Sequence, residues 1–280
     1  GTGENMAEKT EGNKKTSSFS AKTVRDFALV LSQKFRVLEH FEDGVKIKYY
    51  YYKDEKPSES LKTGALALAT FSDMIGKYPY STFSIVETNF VHGGMEYPNL
   101  IYISDSLSSY EEYTNVIVHE TAHQWFYNMV GSNANVSSWL DEGLTEYVTA
   151  CFYESNPQYL IEKKKIVENA LSNYSLFVSV YGNVFGEVDT SMNRRLNEFK
   201  SEAEYVYVVY VKGMLLFDSL KSIVGEKDFL KGLKNYFENN KFGIAEPKNL
   251  ISEFEKASRK DLSTFFDTWI GGKIVIVSLN

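Results

Sequence analysis

The segment from Val116 to Val130 reads VIVHETAHQWFYNMV, and it decides how the rest of the chain is interpreted. It is largely apolar, yet it contains two of the four histidines of the chain, His119 and His123, with Glu120 beside the first. Imidazole and carboxylate groups are costly to bury on an apolar helix unless they bind or pair with something. The segment therefore predicts a buried helix whose polar side chains share a ligand.

The spacing of these polar residues is that of a metal-binding helix. Residues i and i+4 lie on one face, about 6 Å apart, so His119 and His123 can direct ring nitrogens at one ion. Glu120 is turned by about 100° round the helix and can reach a water on the open side of that ion. The H-E-x-x-H pattern favours a catalytic zinc with Glu120 as general base, although the same five residues also occur without a metal. In that alternative both histidines are hydrogen-bonded in a core.

A catalytic zinc needs three protein ligands and one open position, so this hypothesis requires another ligand. Glu142 follows His123 with eighteen residues between them. Ser138 and Asp141 are placed to form a capping box, which would put Glu142 in the first turn of a second helix. Glu146 lies one turn later and is the rival ligand. We interpret it instead as the acceptor for the second ring nitrogen of a zinc-bound histidine.

The composition is that of a folded, acidic globular protein. Of the 280 residues 43% are apolar, which is enough for a sizeable core, and the net charge is −7. The longest basic run is Lys163-Lys164-Lys165, so we expect no nucleic-acid partner. No apolar stretch reaches the roughly 18 residues of a membrane span, and a single cysteine, Cys151, excludes an internal disulfide. We expect a soluble monomer; the compartment stays open, with the cytoplasm favoured.

The first half of the chain alternates helical and β-rich patterns. Residues 1–18 are predicted to be a disordered or vector-derived tail because of their polar composition. Residues 24–33 are predicted to form a short helix or a loop that leads into a hairpin. The hairpin turns at Glu42-Asp43-Gly44, and its second strand, VKIKYYYY, is expected to be exposed. A helix over LKTGALALATFSDMIG and strands over FSIVET and LIYISD then precede the histidine segment.

The second half is almost wholly helical in period, from residue 138 to residue 272. The last residues, 273–280, are predicted to form a terminal strand. We therefore predict an α+β fold with one domain over residues 19–280. An α/β lobe with the zinc helix would span residues 19–137, and a helical lobe residues 138–272.

The two-part pattern of His119-Glu120-Thr121-Ala122-His123 and, after eighteen residues, Glu142 within WLDEG resembles the gluzincin zinc aminopeptidases. That family contains membrane alanyl aminopeptidase and leukotriene hydrolase. The loop Gly93-Gly94-Met95-Glu96-Tyr97 is similar to the family's G-x-M-E-N exopeptidase loop, and Tyr210-Val211-Lys212-Gly213 to its Y-x-K-G segment. Residues 236–269 are similar to the close of its catalytic domain, so the resemblance covers roughly residues 20–272.

The resemblance implies a thermolysin-like zinc metallopeptidase domain, with a small mixed α/β lobe and a mostly helical lobe. One zinc ion per chain would be bound by His119, His123 and Glu142. The implied activity is that of an aminopeptidase, which hydrolyses N-terminal residues from peptides. Glu120 would be its general base, and Tyr210 would stabilise the oxyanion.

The exopeptidase loop carries the implied recognition of the substrate. Glu96 would bind the free α-ammonium, while Gly93, Gly94 and Met95 would let the loop approach the peptide. Tyr97 stands where the family has asparagine, which leaves the hydrogen bonding of the loop open. We expect the family's N-terminal β domain elsewhere in a longer protein. Two alternatives stand beside this reading: a zinc endopeptidase on the same fold, and a non-catalytic peptide-binding module.

Overall fold

The structure is a computed structural model that describes residues 1–186 and 188–273. The chain divides into two compact units. One comprises residues 1–73 and 77–129, and the other residues 74–76 together with the chain from Val130 onward. The predicted terminal strand over residues 273–280 lies, apart from Lys273, outside the described residues.

The first unit begins with a two-stranded hairpin, β1 (Glu4–Glu11) and β2 (Lys14–Ser20), which differs from the disordered tail predicted for residues 1–18. Glu11 pairs with Lys14, so Gly12-Asn13 forms a two-residue turn in which φ of Gly12 is +59°. A glycine-asparagine pair between two short segments is a hairpin signal. In this segment the turn signal at Gly12-Asn13 was a better guide to the structure than the polar composition, which favours disorder.

A five-stranded mixed sheet forms the centre of the first unit. Its strands are β3 (Arg36–Glu42), β4 (Val45–Tyr51), β5 (Thr82–Thr88), β6 (Gly94–Met95) and β7 (Leu100–Ser104). The order is β3-β4-β5-β7-β6, in which β4, β5 and β7 run parallel while β3 and β6 run antiparallel to their neighbours. The predicted hairpin around Asp43-Gly44 is confirmed, but Tyr49 and Tyr51 are buried rather than exposed, because β4 is an interior strand.

Two helices belong to this unit: α1 (Pro57–Met74), between the parallel strands β4 and β5, and α2 (Tyr110–Ala122), after β7. Helix α1 lies close to the sheet at Gly64, where a Cβ would come within 2.2 Å of Ile85 Cδ1. Of the two alternatives predicted for residues 24–33, the structure has the loop and not the helix. Arg25 Nε instead donates to the Asn128 carbonyl at 3.3 Å, and such tertiary contacts hold the segment without helical hydrogen bonds.

The second unit is mostly helical. Its helices are α3 (Glu142–Ser155), α4 (Lys163–Phe185), α5 (Glu202–Tyr205), α6 (Lys212–Val224), α7 (Glu226–Asn240), α8 (Pro247–Ser258) and α9 (Ser263–Ile270). A parallel pair of short strands, β8 (Val130–Ser132) and β9 (Gly243–Ala245), accompanies them. The predicted α+β class, with a small mixed sheet and a mostly helical remainder, is confirmed.

Helices α3 and α6 pack against each other through glycines. A Cβ on Gly143 would lie 2.7 Å from Gly213 Cα, so the two backbones are in direct contact there. Helix α6 follows α5 through a π-helical turn, Val206–Val211. Within residues 1–186 and 188–273, no helix is long and apolar enough to cross a membrane.

Candidate active site

The helix that carries the histidines, α2, is defined at its start by Ser109, whose Oγ accepts a hydrogen bond from the Glu112 N–H at 3.1 Å. Glutamates in the first turn also suit the positive end of the helix dipole. The helix ends at Ala122, earlier than the end predicted near Val130. His123 is its C-cap and still bonds through its N–H to the His119 carbonyl, which preserves the i, i+4 relation.

The two imidazoles face each other. Their Nε2 atoms lie 3.1 Å apart, and both side chains are buried, with 8% of His119 and 1% of His123 exposed. His123 Nδ1 lies 2.8 Å from the Phe126 carbonyl, so we assign it the ring proton, which makes Nε2 the unprotonated nitrogen that can bind a metal. Two nitrogens on one tetrahedral zinc would be about 3.3 Å apart, given Zn–N bonds of about 2.0–2.1 Å. The pair is thus arranged as two ligands of one ion.

Glu142 supplies the carboxylate of this group. It is the first residue of α3, and one of its oxygens lies with nitrogens of His119 and His123 so that all three atoms are within 4.8 Å of one another. Two imidazoles and a carboxylate are a common donor set of catalytic zinc sites, so these residues fit the metal that the sequence implies. Glu146, one turn further along α3, belongs to neither metal-compatible group found among the described residues.

The start of α3 differs in detail from the prediction. A 3₁₀ turn, Ser138–Leu140, precedes the helix, and the expected capping box is absent. Ser138 Oγ donates to the Ala134 carbonyl at 2.5 Å instead, and Asp141 makes no capping hydrogen bond. The position of Glu142 in the first turn of the helix is nevertheless the one expected.

A second carboxylate lies close to Glu120. Oxygens of Glu96 and Glu120 and a nitrogen of His123 are all within 4.8 Å of one another. Glu120 is only 6% exposed, and Glu96 is half-buried. Carboxylates this close together repel each other when both are ionised, so a cation bound between them is stabilised.

The loop that carries Glu96 passes directly over Glu120. Gly94 and Met95 form the short strand β6, antiparallel to β7, and the Ser104 N–H donates to the Gly93 carbonyl at 2.9 Å. A Cβ on Gly94 would lie 2.3 Å from Glu120 Oε1, whereas a Cβ on Gly93 would have its nearest neighbour at 3.6 Å. Of the two glycines, Gly94 is therefore the one that makes room for Glu120.

Tyr210 lies in the π-helical turn, half-buried, with its ring edge-on to Tyr205 at a centroid distance of 5.7 Å. The turn is a neighbour of α3, because a Cβ on Gly143 would lie 3.0 Å from the Val209 carbonyl oxygen. The residue after Glu142 thus contacts the residue before Tyr210. Single π-helical turns within helices occur frequently at functional sites.

The lysine of the Y-x-K-G segment, Lys212, is fully buried and anchors this turn. Its Nζ donates to the carbonyls of Thr190 at 2.6 Å and Trp269 at 2.7 Å. Burial lowers the pKa of Lys212 to about 8. The lysine joins the start of α6 to two distant backbone segments and so fixes the helix that follows Tyr210.

Gln124, which follows His123, is a residue of this site that was not predicted from the sequence. Its side chain is fully buried, and its amide bonds to the backbone of the loop after Glu96, at Tyr97 and Asn99. The sequence feature that could have indicated this residue is a neutral amide within an apolar segment, because a buried amide needs hydrogen-bond partners.

The sequence of this chain is similar to that of known peptidases. The domain model described as Peptidase family M1 domain matches residues 60–269. Aminopeptidase N of Lactococcus lactis subsp. lactis is 29% identical over 258 residues, which cover 88% of this chain and 26% of that protein. Aminopeptidase M1 of Arabidopsis thaliana is 25% identical over 284 residues, covering 94% of this chain and 31% of the relative. The chain thus spans less than a third of the length of these curated relatives.

Solved structures share the fold. An M1 zinc metallopeptidase variant from Deinococcus radiodurans has a TM-score of 0.73 at 15% identity, covering 98% of this chain and 61% of that one. The structure of a variant bound to the substrate Tyr-Ser-Ala has a TM-score of 0.73 at 16% identity, covering 98% and 60%. The resemblance inferred from the motifs is confirmed: the chain belongs to peptidase family M1, the family of the zinc metallopeptidases and aminopeptidases that it matches.

Proposed function

We propose that residues 19–273 form the catalytic domain of a zinc-dependent aminopeptidase that removes N-terminal residues from peptides. The observation that carries this proposal is the carboxylate of Glu96, within 4.8 Å of Glu120 and His123. Metal binding and water activation do not require this additional carboxylate, but recognition of a substrate cation does. The α-ammonium of a peptide is such a cation. The named relatives are aminopeptidases, and one solved relative is described with a Tyr-Ser-Ala substrate.

In this proposal His119, His123 and Glu142 bind one zinc ion per chain. The chemistry that zinc would supply when bound by these residues is a water of lowered pKa and polarisation of the scissile carbonyl. The hydrogen bond from His123 Nδ1 to the Phe126 carbonyl keeps Nε2 of that imidazole available as a ligand. Glu146, one turn beyond Glu142, keeps its predicted role as an acceptor for the second ring nitrogen of a zinc-bound histidine and not as a ligand.

The other residues carry the proton transfer and the recognition of the substrate. Glu120 accepts a proton from the attacking water and gives it to the leaving amine. Glu96 binds the α-ammonium and thereby selects peptides with a free N-terminus. The hydroxyl of Tyr210 donates a hydrogen bond to the oxyanion, as the family resemblance implies.

Paired substrates test the proposal. The zinc-loaded chain should hydrolyse alanyl and leucyl aminomethylcoumarin but not their N-acetyl derivatives, and Glu96→Gln should raise KM about tenfold or more for the free-amine substrates. Equal hydrolysis of the acetylated substrates would contradict the proposal and favour an endopeptidase. Zinc-dependent peptide binding without hydrolysis would favour a peptide-binding module.

A further inference from the structure

The side chain of Gln124 holds two backbone groups of the loop that follows Glu96. It is fully buried, and its Oε1 accepts a hydrogen bond from the Asn99 N–H at 2.9 Å. Its Nε2 donates to the Tyr97 carbonyl at 3.2 Å. One amide thus uses both of its polar ends on backbone atoms two residues apart, which fixes the loop in position and in orientation.

The buried amide of Gln124 satisfies a backbone group of a tight turn. Tyr97 to Leu100 is a β-turn in which the Leu100 N–H donates to the Tyr97 carbonyl at 3.0 Å. Proline at the second position and a φ of +58° at Asn99, the third, are the pattern of a type II turn. Such a turn gives no internal partner to the N–H of its third residue. Asn99 is only 2% exposed, so Gln124 is what satisfies this N–H.

Glu96 is the single residue between strand β6 and this turn. On its N-terminal side, Met95 pairs with Tyr102 of β7. On its C-terminal side, Tyr97 is held by Gln124. The Glu96 carboxylate must keep its place against repulsion from Glu120, because both carboxylates belong to one group of atoms within 4.8 Å. The anchors on both sides supply that resistance.

We infer that Gln124 is a positioning residue, which holds Glu96 where it recognises the α-ammonium of the substrate. This inference rests on the proposed aminopeptidase function. It also explains how a loop with Tyr97 in place of the family's asparagine keeps its shape. The contacts of the turn are made by backbone atoms of Tyr97 and Asn99 and by the buried amide, and none of them requires a particular side chain at position 97.

Two inhibitors of the same size isolate this role. Leucine hydroxamate and 4-methylpentanoyl hydroxamate carry the same metal-binding group, but only the first has an α-amine. Their Kd values are measured by calorimetry on the zinc-loaded chain, with zinc content determined for every variant. In Gln124→Leu we expect the Kd of leucine hydroxamate to rise ten- to a hundredfold, while that of the amine-free analogue changes less than about twofold.

Three further variants complete the design. Gln124→Glu keeps the size of the side chain and the acceptor for Asn99, but turns an oxygen toward the Tyr97 carbonyl, so the same selective loss is expected in a variant of nearly native shape. Glu96→Gln should show this loss too, and combining it with Gln124→Leu should add little. Thr121→Val is the control: Thr121 is equally buried on α2, but its hydroxyl donates to the Ile117 carbonyl of the same helix at 2.7 Å. Both Kd values should be unchanged.

The other outcomes show whether the inference on Gln124 fails alone or together with the proposed function. If both substitutions of Gln124 weaken the two inhibitors equally, the residue has a structural role only and the inference is overturned. Unchanged affinities in both variants overturn it as well. If the unsubstituted chain binds the two inhibitors equally, the amine is not recognised at all and the proposed function fails together with the inference.

Discussion

At the scale of single residues, the adjacent glycines Gly93 and Gly94 have different roles that their sequence does not distinguish. The motif places both in one loop. Of the two, only Gly94 lies against Glu120, the proposed general base, since a Cβ there would come within 2.3 Å of Glu120 Oε1, against 3.6 Å for the nearest atom at Gly93.

A matched pair of alanine variants follows from this difference. Gly94→Ala should displace Glu120 and lower kcat/KM on order of a hundredfold, because small misplacements of a catalytic group are that costly. Gly93→Ala should stay within about twofold of the original activity. Steady-state kinetics with leucyl aminomethylcoumarin measure both. Equal losses in the two variants would show that Gly94 does not position Glu120.

Glu120 itself is tested by Glu120→Gln. We expect kcat to fall by about 10²–10⁴, because the amide cannot accept a proton, while zinc content stays the same because Glu120 is not a ligand in the proposed site. Kinetics and metal analysis on the same preparation are required. Residual activity close to that of the unsubstituted chain would refute the role of general base, and a loss of zinc would make Glu120 part of the metal site.

At the scale of elements, the glycine contact between α3 and α6 supports both Glu142 and Tyr210. Gly213→Ala would place a Cβ 2.6 Å from Gly143 Cα, where the obstacle is backbone and cannot rotate away. We expect the free energy of unfolding to fall by about 1–3 kcal/mol in urea denaturation. Gly182→Ala on α4 is the control, since its Cβ would meet nothing closer than 3.8 Å. It should stabilise the chain by roughly 0.5–1 kcal/mol; similar effects of both variants would contradict the contact.

The buried Lys212 predicts how stability depends on pH. Burial lowers its pKa in the folded chain from 10.5 to about 8. Between these values the unfolded chain binds more protons than the folded one, so the free energy of unfolding rises with pH by up to about 1.4 kcal/mol per unit. Below pH 8 the cost of burying the charge is fully present.

Lys212→Met removes this dependence. Between pH 8 and pH 10 the free energy of unfolding of the original chain should therefore increase relative to that of the variant, as measured by urea denaturation. Tyrosine titration is common to both chains and cancels in the difference. A difference that is constant or falls with pH would show that Lys212 is not a desolvated charge.

Short sequence patterns predicted those elements whose signal lies within a few neighbouring residues. The turn at Asp43-Gly44 and the alternation of β4 are readable in the sequence. The end of α2 is not, because the apolar run continues past Ala122 although the helix does not. Trp125, beyond the end of the helix, is buried against the ring of Phe71 at a centroid distance of 5.8 Å. Its burial therefore does not depend on a helical backbone. Burial there is set by tertiary packing, which a helical period cannot report.

At the scale of the whole molecule, the candidate metal-binding residues could be predicted from the sequence, whereas the residues that hold neighbouring side chains and loops in place could not. The spacing of His119, His123 and Glu142 indicates a zinc site without a structure, because metal binding restricts both residue type and separation. Gln124 and Gly94 were not singled out for their roles, since each acts through a contact with a residue distant in sequence. Such contacts become visible only in three dimensions.

Metal stoichiometry tests the central claim most directly. Native mass spectrometry of the zinc-loaded chain, of Glu142→Ala and of Glu146→Ala separates the ligand from its rival on the same helix. We predict one zinc ion per chain in the original and in Glu146→Ala, and a large loss in Glu142→Ala. Absence of zinc from the original chain, or full retention in Glu142→Ala with loss in Glu146→Ala, would contradict the site formed by His119, His123 and Glu142.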